Sequence, residues 1–421
     1  MFCGGIGDDC CGCGCNIKKQ NNYMKTLLPF IPLLIGLLFC LSCNNKKTTQ
    51  IVVTESEKIP VIDLEKALDH ISGDQVNFSE FIEDITYVPL ETNDKSIFGP
   101  NRFLEPCITA NYIFPGEILF GKDGSFVRKL GKKGQGPGEY LLALGMAMDE
   151  KRQEFYINDN YLHDIFVYDF ENHFKKKVKA HSFGENIYAL GNGKLAVMRN
   201  PNYFFDDYFE YQLIDIDSED IVYTRKLDII KKGNPFAVDR NIIWPFNQQF
   251  SYYEFFTDTI FSLDNGVVST PRFSINSGKY KFTVETMHKM DRNAFITIEE
   301  RQKYIQIGQI AECNRFLFFS LYLHKTLYYA AYDKITGEIK INEFSKFFNN
   351  DIDGGFLWLF RNTANGQEGF YEILPYIAKE RIDGLSSQNK GYDKEKNKKL
   401  RQLIDNLADD DNICTYFFHF K

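Results

Sequence analysis

The sequence predicts an all-β chain folded as a six-bladed β-propeller, and three observations carry that prediction. Of its 421 residues 15% are aromatic, with 24 Tyr and 39 Phe, a composition that favours strands. Hairpin signals, each an apolar strand running through an Asp/Asn/Gly turn into a second strand, recur at Phe120–Val127, Phe166–Phe174, Leu213–Tyr223, Phe261–Val268 and Tyr329–Ile341. Between their leading aspartates the steps are 46, 48, 47 and 69 residues, and a period near 47 matches one four-stranded blade. Five hairpins plus unmatched strands at the two ends predict a sixth blade built from both termini, which removes the exposed edges of an open sheet.

Taken in order, residues 1–23 read as a mis-assigned upstream extension, because a secretion signal begins only at Met24. Residues 24–42 form that signal: Lys25 supplies its charge, and the apolar stretch Leu27–Leu41 is too short to span a bilayer as a helix. Cys43 follows Leu41-Ser42 and precedes Asn44-Asn45-Lys46-Lys47, the pattern of a lipidated cysteine, with Cys40 standing where leucine is usual. Residues 43–58 are polar and read as a flexible tether, and 59–421 as the propeller. The Cys10–Cys15 cluster could serve as soft-metal thiolates, but its place upstream of the signal argues against a site. Cys107, Cys313 and Cys414 are too scattered for a disulfide framework.

Within the globular part, Leu64, Ala67, Leu68 and Ile71 predict a short helix, and Ile85–Leu90 a strand ending at Pro89, where a missing donor does little harm. The long 69-residue step holds a helical pattern near 284–307, expected between or within blades. Leu400, Leu403, Ile404 and Leu407 predict a short C-terminal helix, followed by a strand over Ile413–Phe420 that pairs with the segment around Tyr87.

The run Gly134-Gln135-Gly136-Pro137-Gly138-Glu139-Tyr140, with Phe81–Thr92, Thr257-Asp258-Thr259-Ile260 and Asp410-Asp411-Asn412 before an aromatic strand, resembles the six-bladed β-propeller lipoproteins of gram-negative gut anaerobes, a domain of unknown function. The likeness implies a fold and an envelope location and supplies no catalytic residue. One departure is Ile413, where the family usually has proline.

Chemistry is sparse. The glycines of 134–138 superficially suggest a phosphate loop, but Pro137 removes a donor and no Gly-Lys-Ser/Thr follows. They read instead as structural: glycines permitting positive φ, Pro137 fixing a bend, Glu139 accepting backbone N–H groups, and Tyr140 packing between blades. Asp215–Asp220 and Asp351–Gly355 lack calcium-loop spacing, and the seven histidines show no ligand pairing. No metal or cofactor is implied. A net charge of −8, with the Lys-rich spots interrupted, argues against nucleic acid as partner.

The expectation is therefore a lipid-anchored envelope module that binds or scaffolds a glycan, peptide or protein partner, on the outer membrane and facing the periplasm. Loop aromatics at Asn202–Phe209 are candidate contacts. The rival expectation is a carbohydrate-active hydrolase or lyase with carboxylates in the central funnel, which requires a convergent acid pair.

Overall fold

In the computed structural model the described residues are 59–71, 73, 75–98, 105–159, 161–180, 186–198, 211–226, 242–247, 249–264, 268–283, 285–286, 298–356, 360–364 and 366–421. The upstream extension, the signal, Cys43 and the tether lie outside them, as do Asn202–Phe209.

Five blades follow one another along the chain, each a four-stranded antiparallel meander whose strands are added in sequence order. The first blade comprises Cys107–Ile108, Tyr112–Phe114, Ile118–Gly121 and Phe126–Lys129. The second comprises Ala143–Asp149, Glu154–Asp159, Asp164–Asp169 and Phe174–Lys179, and the third Asn186–Gly191, Lys194–Met198, Tyr211–Asp215 and Asp220–Arg225. Ile242–Phe246, Gln249–Glu254, Thr259–Asp264 and Val268–Asn276 make the fourth; Gln306–Glu312, Phe316–Leu323, Thr326–Asp333 and Ile339–Glu343 make the fifth. All five predicted hairpins are the third and fourth strands of these blades. Their recurrence has a local cause: in the second, third and fifth blades the aspartate ending the third strand accepts N–H groups of the turn beyond it. Asp215 bonds Asp217 and Ser218 N–H, and Asp333 bonds Ile335 and Thr336 N–H.

The sixth blade joins the two ends of the fold. Arg361–Asn362, Glu368–Ile373 and Cys414–Phe420 come from the C-terminal part, and Ile82–Pro89 from the N-terminal part completes the sheet with Tyr416 opposite Tyr87. Pro89 ends that outer strand, as expected. Alternation along the closing strand sends Cys414, Tyr416 and Phe418 toward the fifth blade and Ile413 and Phe417 toward the first. Upstream of it the chain straps the ring: Val61–Asp63 adds a parallel strand to the fourth blade, the helix Leu64–Asp69 buries Leu64 and Leu68, and Val76–Asn77 pairs with Phe348–Asn349.

The insertion near 284–307 sits between the fourth and fifth blades. Its described part is helical at 285–286 and over Ile298–Arg301, and Ile307 belongs to strand Gln306–Glu312. Met287, Met290 and Phe295 lie outside the described residues. At the other end two helices stand where one was expected, Pro375–Gln388 and Lys394–Asn406, both inserted between the second and third strands of the sixth blade. The second is the predicted one, with Leu400 and Ile404 buried.

Phe418 has no exposed surface and makes edge or tilted ring contacts with Phe78 and Phe360 at centroid distances of 5.6 and 5.5 Å. Phe418→Ala is expected to lower stability by about 3–5 kcal/mol, read as a shift of the urea midpoint. By contrast, Ile335→Ala, at a side chain 77% exposed, is expected to stay within about 0.5 kcal/mol.

Candidate functional site

The first strand of every blade faces the ring axis, and these six strands enclose a cavity of about 220 Å³. Six strands can meet at one axis only where side chains are small or flat, and Gly145, Ala147, Ala189 and Gly308 stand on its wall. Larger residues, among them Met146, Ile187, Trp244, Phe250, Ile310 and Phe370, make the lining mostly apolar.

Polar groups on this wall are few, and nearly all are engaged. Tyr188 Oη donates to Glu105 Oε2 at 2.7 Å, tying the third blade to the segment leading into the first. Gln309 Nε2 donates to the Phe360 carbonyl at 2.7 Å. Asn362 is doubly held by Glu312, donating to its carbonyl and accepting its N–H at 2.8 Å. Trp244 Nε1 donates to the Glu312 carboxylate at 2.9 Å. That carboxylate is fully buried and is also bonded by Arg272 and Lys334, so one anion with two cations pins the fourth and fifth blades together, while Asn362 joins the sixth through the Glu312 backbone. Burial holds the Lys334 ammonium below its ordinary pKa, against the raising effect of Glu312.

Arg361 differs. It is exposed, lines the cavity, and among the described residues its guanidinium makes no hydrogen bond or ion pair. Its charge is felt by Glu372, whose Oε1 is buried without a hydrogen-bond partner beside the cross-strand Thr415, equally unpartnered at Oγ1. Desolvation drives the Glu372 carboxyl up from 4.5 to about 7, with Arg361 pulling the other way. Cys107, the one cysteine on the wall, is pushed up to about 11 by burial, which suppresses thiolate formation.

The family-motif residues lie away from the axis, in the seam between the first and second blades. Glu139 turns back on its own loop, accepting the Gly136 N–H at 2.8 Å and pairing with Lys132, so its carboxyl is held below the ordinary range, most strongly by Lys132. Tyr140 is buried among Leu119, Leu130, Ile157 and Tyr168. Gly138 has φ +74°, and its carbonyl accepts the Tyr168 hydroxyl at 2.6 Å. Gly134 and Gly136 do not adopt positive φ, contrary to the expectation; a Cβ at Gly134 would instead run into the Glu139 carboxylate. Gln135 and Pro137 complete the turn. Past the motif, the fully buried Asp159 carboxylate accepts the N–H groups of Leu141, Leu142, Tyr161 and Leu162, fixing the loop to the blade.

Neither acidic cluster gathers its side chains at one point. Asp215 closes a hairpin, Asp351 caps Ser79, and Asp353 accepts the Tyr87 hydroxyl and the Gly355 N–H. Among the described residues no three His, Cys, Asp or Glu converge as a metal site. Sequence reading missed the cavity residues because the first strands carry no turn signature. They could have been located by stepping one hairpin upstream of each Asp-marked turn.

The chain belongs to the family described as Domain of unknown function (DUF4934), whose model matches residues 59–419. No curated protein matches it. Among solved structures it is similar to a Bacteroides fragilis NCTC 9343 protein described as exported, with 19% identity and a TM-score of 0.64 over 86% of this chain and 99% of that one. It also aligns with a member of the DUF4221 family from Bacteroides vulgatus ATCC 8482, at 10% identity and a TM-score of 0.43, over 81% of this chain and 97% of that one. At 19% identity the likeness to the Bacteroides fragilis protein speaks for the fold alone.

Glu372 gives the site a pH signature. An acid whose pKa is higher folded than unfolded stabilises the fold while protonated, and that stability is lost as pH rises through the folded value. Stability is therefore expected to fall between about pH 4.5 and pH 7. Glu372→Gln should flatten that slope in urea titrations run across the window; an unchanged slope would assign it to another group.

Proposed function

We propose that this member of the family is a lipid-anchored module of the cell envelope that binds a small ligand, or one residue of a glycan or peptide, in its axial cavity. The observation that carries the reading is the wall itself: six strands converge on a partly open, mostly apolar space with a few fixed polar groups, the usual makeup of a ligand pocket. A cavity of about 150 Å³ already holds a benzene ring, so about 220 Å³ is room for one ring or a short chain.

Binding fits this wall better than hydrolysis does. Glycoside cleavage needs two carboxyl groups flanking the scissile bond, and among the described residues the wall offers one, Glu105, whose Oε2 accepts the Tyr188 hydroxyl. The envelope location is supported by Cys43 after an apolar signal and by the similarity to a Bacteroides protein described as exported. An acyl anchor at Cys43 would place the propeller on a polar tether, on the outer membrane and facing the periplasm.

Two measurements test these points. Labelled palmitate should enter the wild type and not Cys43→Ala; equal labelling would remove the anchor. Ligand-observed NMR with glycan and peptide fractions of the envelope should detect a component bound by the wild type and weakened at least about tenfold by Ala189→Phe, which fills the cavity; equal binding by the variant would move the site elsewhere.

A further inference from the structure

We propose that the axial cavity selects a monoanionic ligand, a carboxylate on an apolar body, and that Arg361 is the residue that reads the carboxylate. This rests on the cavity being the binding site and names the ligand class it takes.

Hydrogen-bonding commitments decide the matter. Apart from the neutral Asn186 amide, the wall's other side-chain donors are spent inside the protein: Tyr188 on Glu105, Gln309 on the Phe360 carbonyl, Trp244 and Asn362 on Glu312. A ligand that relied on them would have to break these bonds and leave buried groups unsatisfied, at the expense of affinity. Arg361 carries five N–H donors and gives up no hydrogen bond in the protein, since none is used by the described residues.

Charge balance narrows the class. One guanidinium compensates one negative charge, and its planar fork matches a carboxylate through two parallel bonds. A phosphate monoester would bring a second charge that this apolar wall leaves uncompensated, at a high desolvation cost. The other charged wall residue, Glu105, has its Oε2 bonded by the Tyr188 hydroxyl of the third blade; its negative charge disfavours an anion on that side and leaves Arg361, on the sixth blade, as the one cation on the wall among the described residues. The apolar body follows from Phe370, which lies directly across the sheet from Arg361, and from the aliphatic and aromatic wall beyond.

Substitution at Arg361 breaks no hydrogen bond or ion pair among the described residues; it does remove the charge that offsets the burial of Glu372, so each variant is first checked for an unchanged fold by circular dichroism. The full-length protein in detergent below its micellar concentration, titrated calorimetrically with octanoate and with octanamide, isolates the charge while holding the body constant. Octanoate should bind at least about tenfold more tightly than octanamide, the range expected of one charge-assisted contact. Arg361→Met should erase that preference while leaving octanamide affinity within about twofold, and Arg361→Lys should restore part of it. Octyl phosphate should bind more weakly than octanoate. Equal binding of octanoate and octanamide, or a preference that survives Arg361→Met, would overturn the carboxylate assignment while leaving the cavity as a binding site. If neither probe binds the wild type, and Ala189→Phe leaves binding of envelope fractions untouched, both the assignment and the cavity reading fall.

Discussion

The whole ring depends on one pairing of distant segments, strand Cys414–Phe420 with strand Ile82–Pro89. Until those strands meet, the sixth blade has three strands with an open edge and the first blade has no neighbour on one side. Both Ile108 and Phe120 of the first blade, and Phe370 and Phe417 of the sixth, share one buried cluster that exists only in the closed ring. Closing a loop of more than three hundred residues costs little more entropy than closing one half as long, because the cost grows with the logarithm of length. What the distance does impose is order in time: the five local blades can form first, and the closing contact last.

Around that pairing the chain has added reinforcement rather than relying on strand hydrogen bonds alone. Asn412, immediately before the closing strand, donates to the carbonyls of Glu91 and Ser96 and accepts the Phe98 N–H, so its amide ties the C-terminal segment to the one leaving the outer strand. Tyr87 and Tyr416 meet edge to face at 4.5 Å, and the Tyr87 hydroxyl bonds Asp353, whose carboxyl is pushed up by burial. Asp353 in turn lies beneath the helix Lys394–Asn406, where Asn397 donates to its carbonyl at 2.6 Å. The two helices inserted in the sixth blade thus cover the polar groups that the closure buries. Ile413, where the family usually has proline, still accepts the Leu90 N–H at 3.1 Å through its carbonyl, an interaction open to either residue.

Much of this architecture was legible in the sequence, for a local reason. A hairpin between the third and fourth strands needs an Asp, Asn or Gly at fixed positions, so each blade stamps one recognisable mark on the chain, and Asp169, Asp215 and Asp333 all accept turn N–H groups. The closing strand was legible through its alternating aromatics. The helix Pro375–Gln388 was not, because its buried stripe consists of Pro375, Ala378, Ile382 and Ser386, a single large apolar residue among small ones. Without an apolar repeat, periodicity has nothing to register. In the 284–307 segment the expected helix is described over Ile298–Arg301, and the strand of the fifth blade begins at Gln306.

The candidate site escaped the sequence for a different reason. What distinguishes Arg361 from Arg272 is not residue type or neighbouring sequence but whether a carboxylate from another blade reaches it. Arg272 meets Glu312 from the next blade and stacks on Phe246 and Phe273, so its charge is consumed in holding blades together. Glu312 can play that part because two cations and the Trp244 indole compensate its burial; a carboxylate so satisfied has no capacity left for an incoming group. The six-fold arrangement brings both kinds of charge to the same small region, one within a saturated network and one facing the cavity. Function on a propeller of this kind is therefore read from what the inter-blade contacts leave unused. By that measure the conspicuous glycine-rich loop is fully spent, with Glu139, Gly138 and Tyr140 all engaged in the seam of the first two blades, whereas an arginine with no sequence signature is not.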